Sequence, residues 1–171
     1  MSRWTWLLVD GYNLLHGWFG MNREEVSLID KREKLIRLLM DYSGYHSLRT
    51  TVVFDGQGSL EEREVKSTKF VIIYGVQQET ADQWIERRAW ELVKQGWTVK
   101  VVTSDQLEQR VIFGAGALRV PCREMMEDMR LTLKEIRSEI AQREFGERNE
   151  LSNRIDESVL SELERWRRGK V

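Results

Sequence analysis

The chain has 171 residues, about one domain of typical size with a short remainder, and its 41% apolar and 32% charged residues support a buried core and exclude global disorder. Lys and Arg number 27 against 28 Asp and Glu, a net charge of −1. No overall field draws such a chain to nucleic acid or anionic lipid, and any such partner must be met by a local patch. Cys122 is the only cysteine, which excludes an internal disulfide and a Cys-built zinc site and makes a reducing cytoplasm the expected compartment.

At the start, the apolar run WTWLLV before Asp10 is too short for a signal-peptide core or a membrane span. Trp4 to Val9 is instead a first strand. Leu28, Leu35, Leu39 and Tyr42 then keep one face of a helix. Thr50 to Phe54 and Phe70 to Tyr74 are further strands, Ala81, Ile85, Ala89 and Leu92 mark a second helix that Gly96 ends as a C-cap, and Thr98 to Val102 is a fourth strand. The strands are nearly continuous β-branched or aromatic runs, as expected of strands buried on both faces. Strand alternating with helix predicts an α/β fold, a doubly wound, mainly parallel sheet. With one proline, Pro121, and no Gly/Ser-rich stretch, no linker divides residues 1–120.

From residue 121 the texture changes. Met126, Met129, Leu133, Ile136 and Ile140 recur at steps of three and four, which predicts one long helix whose methionine stripe is a packing seam. Gly146 to Asp156 is polar and reads as a loop, and Val159, Leu160, Leu163 and Trp166 suggest a last short helix before the basic end WRRGK. Residues 121–171 are thus expected to form a helical extension packed on the same domain.

The aspartates fall where chemistry is expected. Asp10, Asp55 and Asp105 follow three of the four predicted strands, whose C-terminal ends share the edge at which open parallel sheets bind ligands. Asp82 comes to the same edge in the first turn of a helix that Thr80 and Gln83 would start as a capping box. Any one of these aspartates taken alone reads first as a helix cap. Four together repel one another unless a divalent cation lies between them, and oxygen ligands without Cys or suitably spaced His favour Mg²⁺ or Mn²⁺, ions that serve phosphate chemistry.

These residues carry a resemblance. Asp10-Gly11-Tyr12-Asn13, Val53-Phe54-Asp55-Gly56, Glu79-Thr80-Ala81-Asp82 and Thr103-Ser104-Asp105 occur in the order and settings of NYN domains, the PIN-like nucleases, and the set is most similar to the YacP-like branch. Similarity extends over Phe113 to Arg119 and the end Trp166 to Gly169. The resemblance implies a metal-dependent endoribonuclease acting on messenger RNA at the ribosome, with Mg²⁺ or Mn²⁺ as cofactor. It puts Asp10, Asp82 and Asp105 in the acidic metal site, Asn13 beside them as the polar companion, Asp55 at the VFD position, and Glu79 as a further acidic candidate.

RNA needs a cation-lined approach and a stacking surface. The candidates are Arg63, Lys66 and Lys69, then Arg119 and Arg123, with Tyr12, Trp18 and Phe19 as aromatic ones, each weighed against an ordinary place on a solvated face or in packing. His16 and His46 are acid–base groups only if they reach the cleft. A dinucleotide-binding enzyme wants G-x-G-x-x-G after the first strand, where this chain has Asp10-Gly11-Tyr12-Asn13. An aspartyl phosphatase wants a second acid at the position of Tyr12. The remaining alternative is a catalytically silent RNA- or ribosome-binding module on a nuclease-like fold, which would ordinarily have lost acids that this chain keeps.

Overall fold

The computed structural model describes residues 5–19, 27–55, 62–75, 79–103, 116–154, 165 and 167. Its centre is β1 (Thr5–Asp10), hydrogen-bonded on both sides to parallel neighbours, β2 (Arg49–Phe54) and β5 (Thr98–Thr103). Beyond β2 lies β4 (Phe70–Tyr74), also parallel, and beyond β5 lies β6 (Leu118–Pro121). An antiparallel strand, β3 (Glu62–Ser67), completes the order β3-β4-β2-β1-β5-β6. The doubly wound, mainly parallel sheet expected from the alternating pattern is present.

The pleat of β1 sends successive side chains into two layers. Leu7 and Val9 join Val52, Phe54 and Ile72 under α1 (Gly11–Phe19) and α2 (Leu28–Tyr45), with Leu14, Leu35 and Leu39 closing the layer. Leu8 joins Val53, Ile73, Val99 and Val101 under Ala81, Ile85, Ala89 and Leu92 of α3 (Ala81–Lys94). The capping box of α3 forms as expected, with the Gln83 N–H donating to Thr80 Oγ1 at 3.3 Å and the Thr80 N–H to Gln83 Oε1 at 3.0 Å. Past the other end of α3, Gly96 takes φ +86°, the left-handed conformation expected of a terminating glycine.

A long helix, α4 (Cys122–Arg154), leaves the end of β6. Cys122, Met125 and Met129 bury into the layer of α1 and α2, while Met126 is only partly buried, so the inward stripe sits one residue from the expected start. Tyr42 Oη donates to Asp128 at 2.5 Å and His46 Nε2 lies 2.9 Å from Thr132 Oγ1, which ties the end of α2 to the first turns of α4. The chain resolves into one compact unit through Leu133 and a second from Lys134.

Four elements depart from the expectations. α1 and β6 appear where none was foreseen, and so does β3, which is charged because an edge strand needs no buried face. The loop expected over Gly146 to Asp156 is helical through Arg154. One glycine costs a helix about 1 kcal/mol and does not end it when helix formers such as Glu147 and Arg148 follow it. The short helix expected around Val159 to Trp166 lies outside the described residues, apart from helical Arg165 and Arg167.

Directly after Asp10, Gly11 opens α1 against the ring of Phe54, so that a Cβ there would stand 2.5 Å from Phe54 Cε1. Phe54 is only 1% exposed and has nowhere to go. Gly11→Ala, which helix propensity alone would favour, is therefore expected to lower stability by about 1–3 kcal/mol, and adding Phe54→Leu should recover part of the loss in a urea-unfolding series.

Candidate active site

Asp10 is the last residue of β1, level with Val53 of β2, and only 7% exposed. Its Oδ1 accepts the backbone N–H of Asn13 and its Oδ2 accepts from Asn13 Nδ2, both at 2.9 Å. The helix-cap reading and the functional reading are therefore both true of this residue: Asp10 caps α1, and the cap fixes the orientation of its carboxyl group. Alternation along β1 turns Asp10 toward the α3 layer, where the capping box holds Asp82 in the first helical turn. Asp82 lies near enough for its charge and hydrogen bonding to act on the Asp10 carboxyl group.

Burial is the largest influence on Asp10 and raises its pKa; the N–H of Asn13 opposes it, the charge and hydrogen bonding of Asp82 add to it, and the group ends at about 6. A pair of hard oxygen donors with like charges facing one another, at the carboxyl edge of a parallel sheet, has the chemistry that a divalent cation needs. Asp10 and Asp82, with the Asn13 side chain fixing one of them, fit Mg²⁺ or Mn²⁺.

The other acidic candidates are placed differently. Asp55 is exposed just past β2. Glu79 is bound to Arg87, whose Nη2 donates to Oε1 at 2.6 Å and Nε to Oε2 at 3.4 Å, and is not brought together with Asp10. Asp105 lies outside the described residues, two positions after the fully buried Thr103 that ends β5. Among the described residues no three His, Cys, Asp or Glu side chains form a group able to hold a metal, so the described core of the site is the pair Asp10 and Asp82.

The basic candidates do not form one patch. Arg63 lines a groove of about 370 Å³ on the α3 side with Trp84 and Arg88. Lys66 lies on the α2 side, paired with Glu64. Lys69 sits in the turn before β4, where its carbonyl accepts from Thr50 at the start of β2, at the edge opposite Asp10. Arg119 is half-buried in β6 and Arg123 is exposed in the first turn of α4. Tyr12 packs edge-on against Phe54 at 5.3 Å, and Trp18 and Phe19 are partly buried against the core, so packing accounts for all three aromatic rings. His16 is exposed beside Tyr12, and His46 is engaged by Thr132.

Comparison with known proteins settles the family. The profile of the YacP-like NYN domain matches residues 7–168. This chain belongs to the YacP-like NYN domain family. NYN domains are a nuclease-like family, and the fold found here is theirs. The uncharacterized protein YacP of Bacillus subtilis (strain 168) is 32% identical over 168 residues, 96% of this chain and 98% of its own length. The crystal structure of Rae1 (YacP) from Bacillus subtilis superposes with a TM-score of 0.69 at 33% identity, covering 95% of this chain and 94% of that one. A mutant of the same protein gives 0.68 at 32% identity, over 81% of this chain and 82% of that one. Among the described residues no helix is long and apolar enough to cross a membrane.

The raised Asp10 group sets a pH dependence. Its folded pKa of about 6 lies above the ordinary 3.8, so the folded state holds a proton that the unfolded chain has lost. The contribution to stability is fully present below about pH 4 and is lost as pH rises through 6. In EDTA, Asp10→Asn should be more stable than the wild type at pH 7.5 by about 2 kcal/mol, with the advantage vanishing near pH 4. Parallel stability profiles for the two proteins between these pH values, from urea unfolding, would contradict the assignment.

Proposed function

We propose that this YacP-like chain is a metal-dependent endoribonuclease of the cytoplasm that cleaves messenger RNA held by the ribosome. The observation that carries the reading is the Asp10 and Asp82 pair at the carboxyl edge of the sheet, where a buried carboxyl is forced against a second one and fixed by Asn13. Asp10 and Asp82 would hold Mg²⁺ or Mn²⁺, which when bound supplies Lewis acidity and charge neutralisation at a phosphodiester.

The chain's own residues do the rest. Asn13 occupies both oxygens of Asp10 from one side, which leaves the remaining lone pairs of the carboxyl directed away from α1. Asp10 gives up its proton near neutrality, so cation binding and proton release are linked, and affinity rises with pH through about 6. Asp82 presents a second carboxylate from a separate element, so its spacing from Asp10 is set by packing of α3 on the sheet and not by a mobile loop. Asp105 is assigned to the same site by family resemblance.

Presentation of the substrate by the ribosome is supported by charge. A chain of net −1 with scattered cations and an acidic edge has no field to gather free RNA. A message already extended and held elsewhere needs only to be met by the metal edge. A transcript with an intact start codon should then be cut far faster than one whose start codon is destroyed, with Asp10→Asn protein as the blank. Equal cutting of both points to a free-RNA nuclease, and cutting of neither to the silent binding module.

Two substitutions test the site itself. Asp82→Asn keeps side-chain size and the start of α3, so the melting temperature should hold while the cleavage rate falls by about 10²-fold or more. Millimolar Mn²⁺ should raise the melting temperature of the wild type and leave that of Asp10→Asn unchanged. Equal stabilisation of both by calorimetry would remove Asp10 from the metal site.

A further inference from the structure

Between α2 and the β3–β4 hairpin lies a cleft of about 710 Å³, lined by Arg32, Arg37, Glu64, Lys66 and Tyr74. It starts beside Tyr74, which ends β4 level with Phe54, and so opens at the same edge as Asp10. The strand of Tyr74 is two places from β1, about 10 Å across the sheet, with the cleft on the α2 side and the Asp10 carboxyl turned to the α3 side of the same edge.

One side chain in this cleft has unmet bonding capacity. The guanidinium of Arg32 lies 4.8 Å from the ring centroid of Tyr74 and 5.8 Å from that of Phe54, and the two rings are themselves stacked, 5.8 Å apart with 16° between planes. Aromatic faces hold the guanidinium in place without satisfying its N–H groups. Its Nε is buried and has no hydrogen-bond partner among the described residues. The neighbouring charges are already matched: Lys66 pairs with Glu64, Tyr74 Oη donates to Glu64 Oε2 at 3.1 Å, and Arg37 pairs with Glu33 at 3.7 Å. A carboxylate that could have answered Arg32 is thus taken up by other donors.

We propose that Arg32 anchors a phosphate of the substrate RNA, one that flanks the bond cleaved at Asp10 and Asp82. The inference rests on the nuclease reading above and adds to it the path of the strand, across the ends of β1, β2 and β4 into the α2 cleft. A planar fork of donors fixed on a ring face matches a phosphate's oxygens, and an oxyanion bound there relieves the cost of the acceptorless Nε. The Arg32 plane also offers a surface for a base.

The test reads binding apart from cleavage. A labelled single-stranded oligoribonucleotide is titrated by fluorescence anisotropy in EDTA against Asp10→Asn protein, with and without Arg32→Gln or Arg32→Lys. Arg32→Gln should weaken binding about tenfold and lower the slope of log affinity against log salt by about one. Arg32→Lys should keep the salt slope and lose part of the affinity, since charge remains but the fork is gone. Melting curves of both variants show whether a loss reflects unfolding, and should either variant unfold, the other carries the comparison. Unchanged affinity in folded variants overturns the subsite. Inorganic phosphate at millimolar concentration should displace part of the RNA from protein that keeps Arg32 and not from Arg32→Gln, and equal displacement from both would also overturn it. Wild-type protein that cuts RNA but binds it independently of Arg32 loses only the subsite, whereas protein that never cuts yet loses RNA with Arg32 loses the nuclease reading and keeps the subsite.

Discussion

The register of β1 is the constraint on which the site depends. This strand is hydrogen-bonded on both sides, and its side chains alternate between two closed layers, Leu7 and Val9 to one and Leu8 and Asp10 to the other. A slip of one residue would turn every one of them to the wrong layer. The apolar members therefore hold the polar one in place: Asp10 faces Asp82 because Leu7, Leu8 and Val9 leave it no other position. Burial of a carboxyl group is unfavourable in itself, and the energy of a well-filled core is what keeps it there.

Much of this arrangement was legible in the residues. Four of the five parallel strands show in sequence because strands buried on both faces must be apolar throughout, and the start of α3 shows because Thr80 and Gln83 satisfy each other's backbone partners within four positions. Both signals are local. The elements that escaped lack any such signal. β3 is a hydrated edge strand and carries no apolar alternation, β6 is four residues long with an exposed Leu118, and α1 is a short helix that opens on glycine.

The site divides along the same line. Asp10 and Asp82 could be placed by strand end and helix cap, but Glu79 could not, since its pairing with Arg87 joins a residue before α3 to one two turns inside it. Arg63, Lys66 and Lys69 are close in sequence and invite reading as one patch, yet the pleat separates the first two and the hairpin turn carries the third to the far edge. Arg32 was hidden for the opposite reason. It belongs to the charged run Asp30-Lys31-Arg32-Glu33-Lys34, the usual composition of a solvated helix face, and only the long-range approach of Tyr74 sets it apart.

The two borders of the sheet also bear on how the molecule behaves in company. An open sheet ends in rows of backbone N–H and C=O groups that invite a strand from another chain. At one border β3 carries Arg63, Glu64 and Lys66 and breaks register between Val65 and Ser67; at the other, β6 is short and ends on Pro121, which has no N–H to offer. Both flanks are thus poor templates for strand addition. Among the described residues the sheet therefore ends on two margins that discourage the edge-to-edge polymerisation to which sheets with long, flat, apolar edges are open.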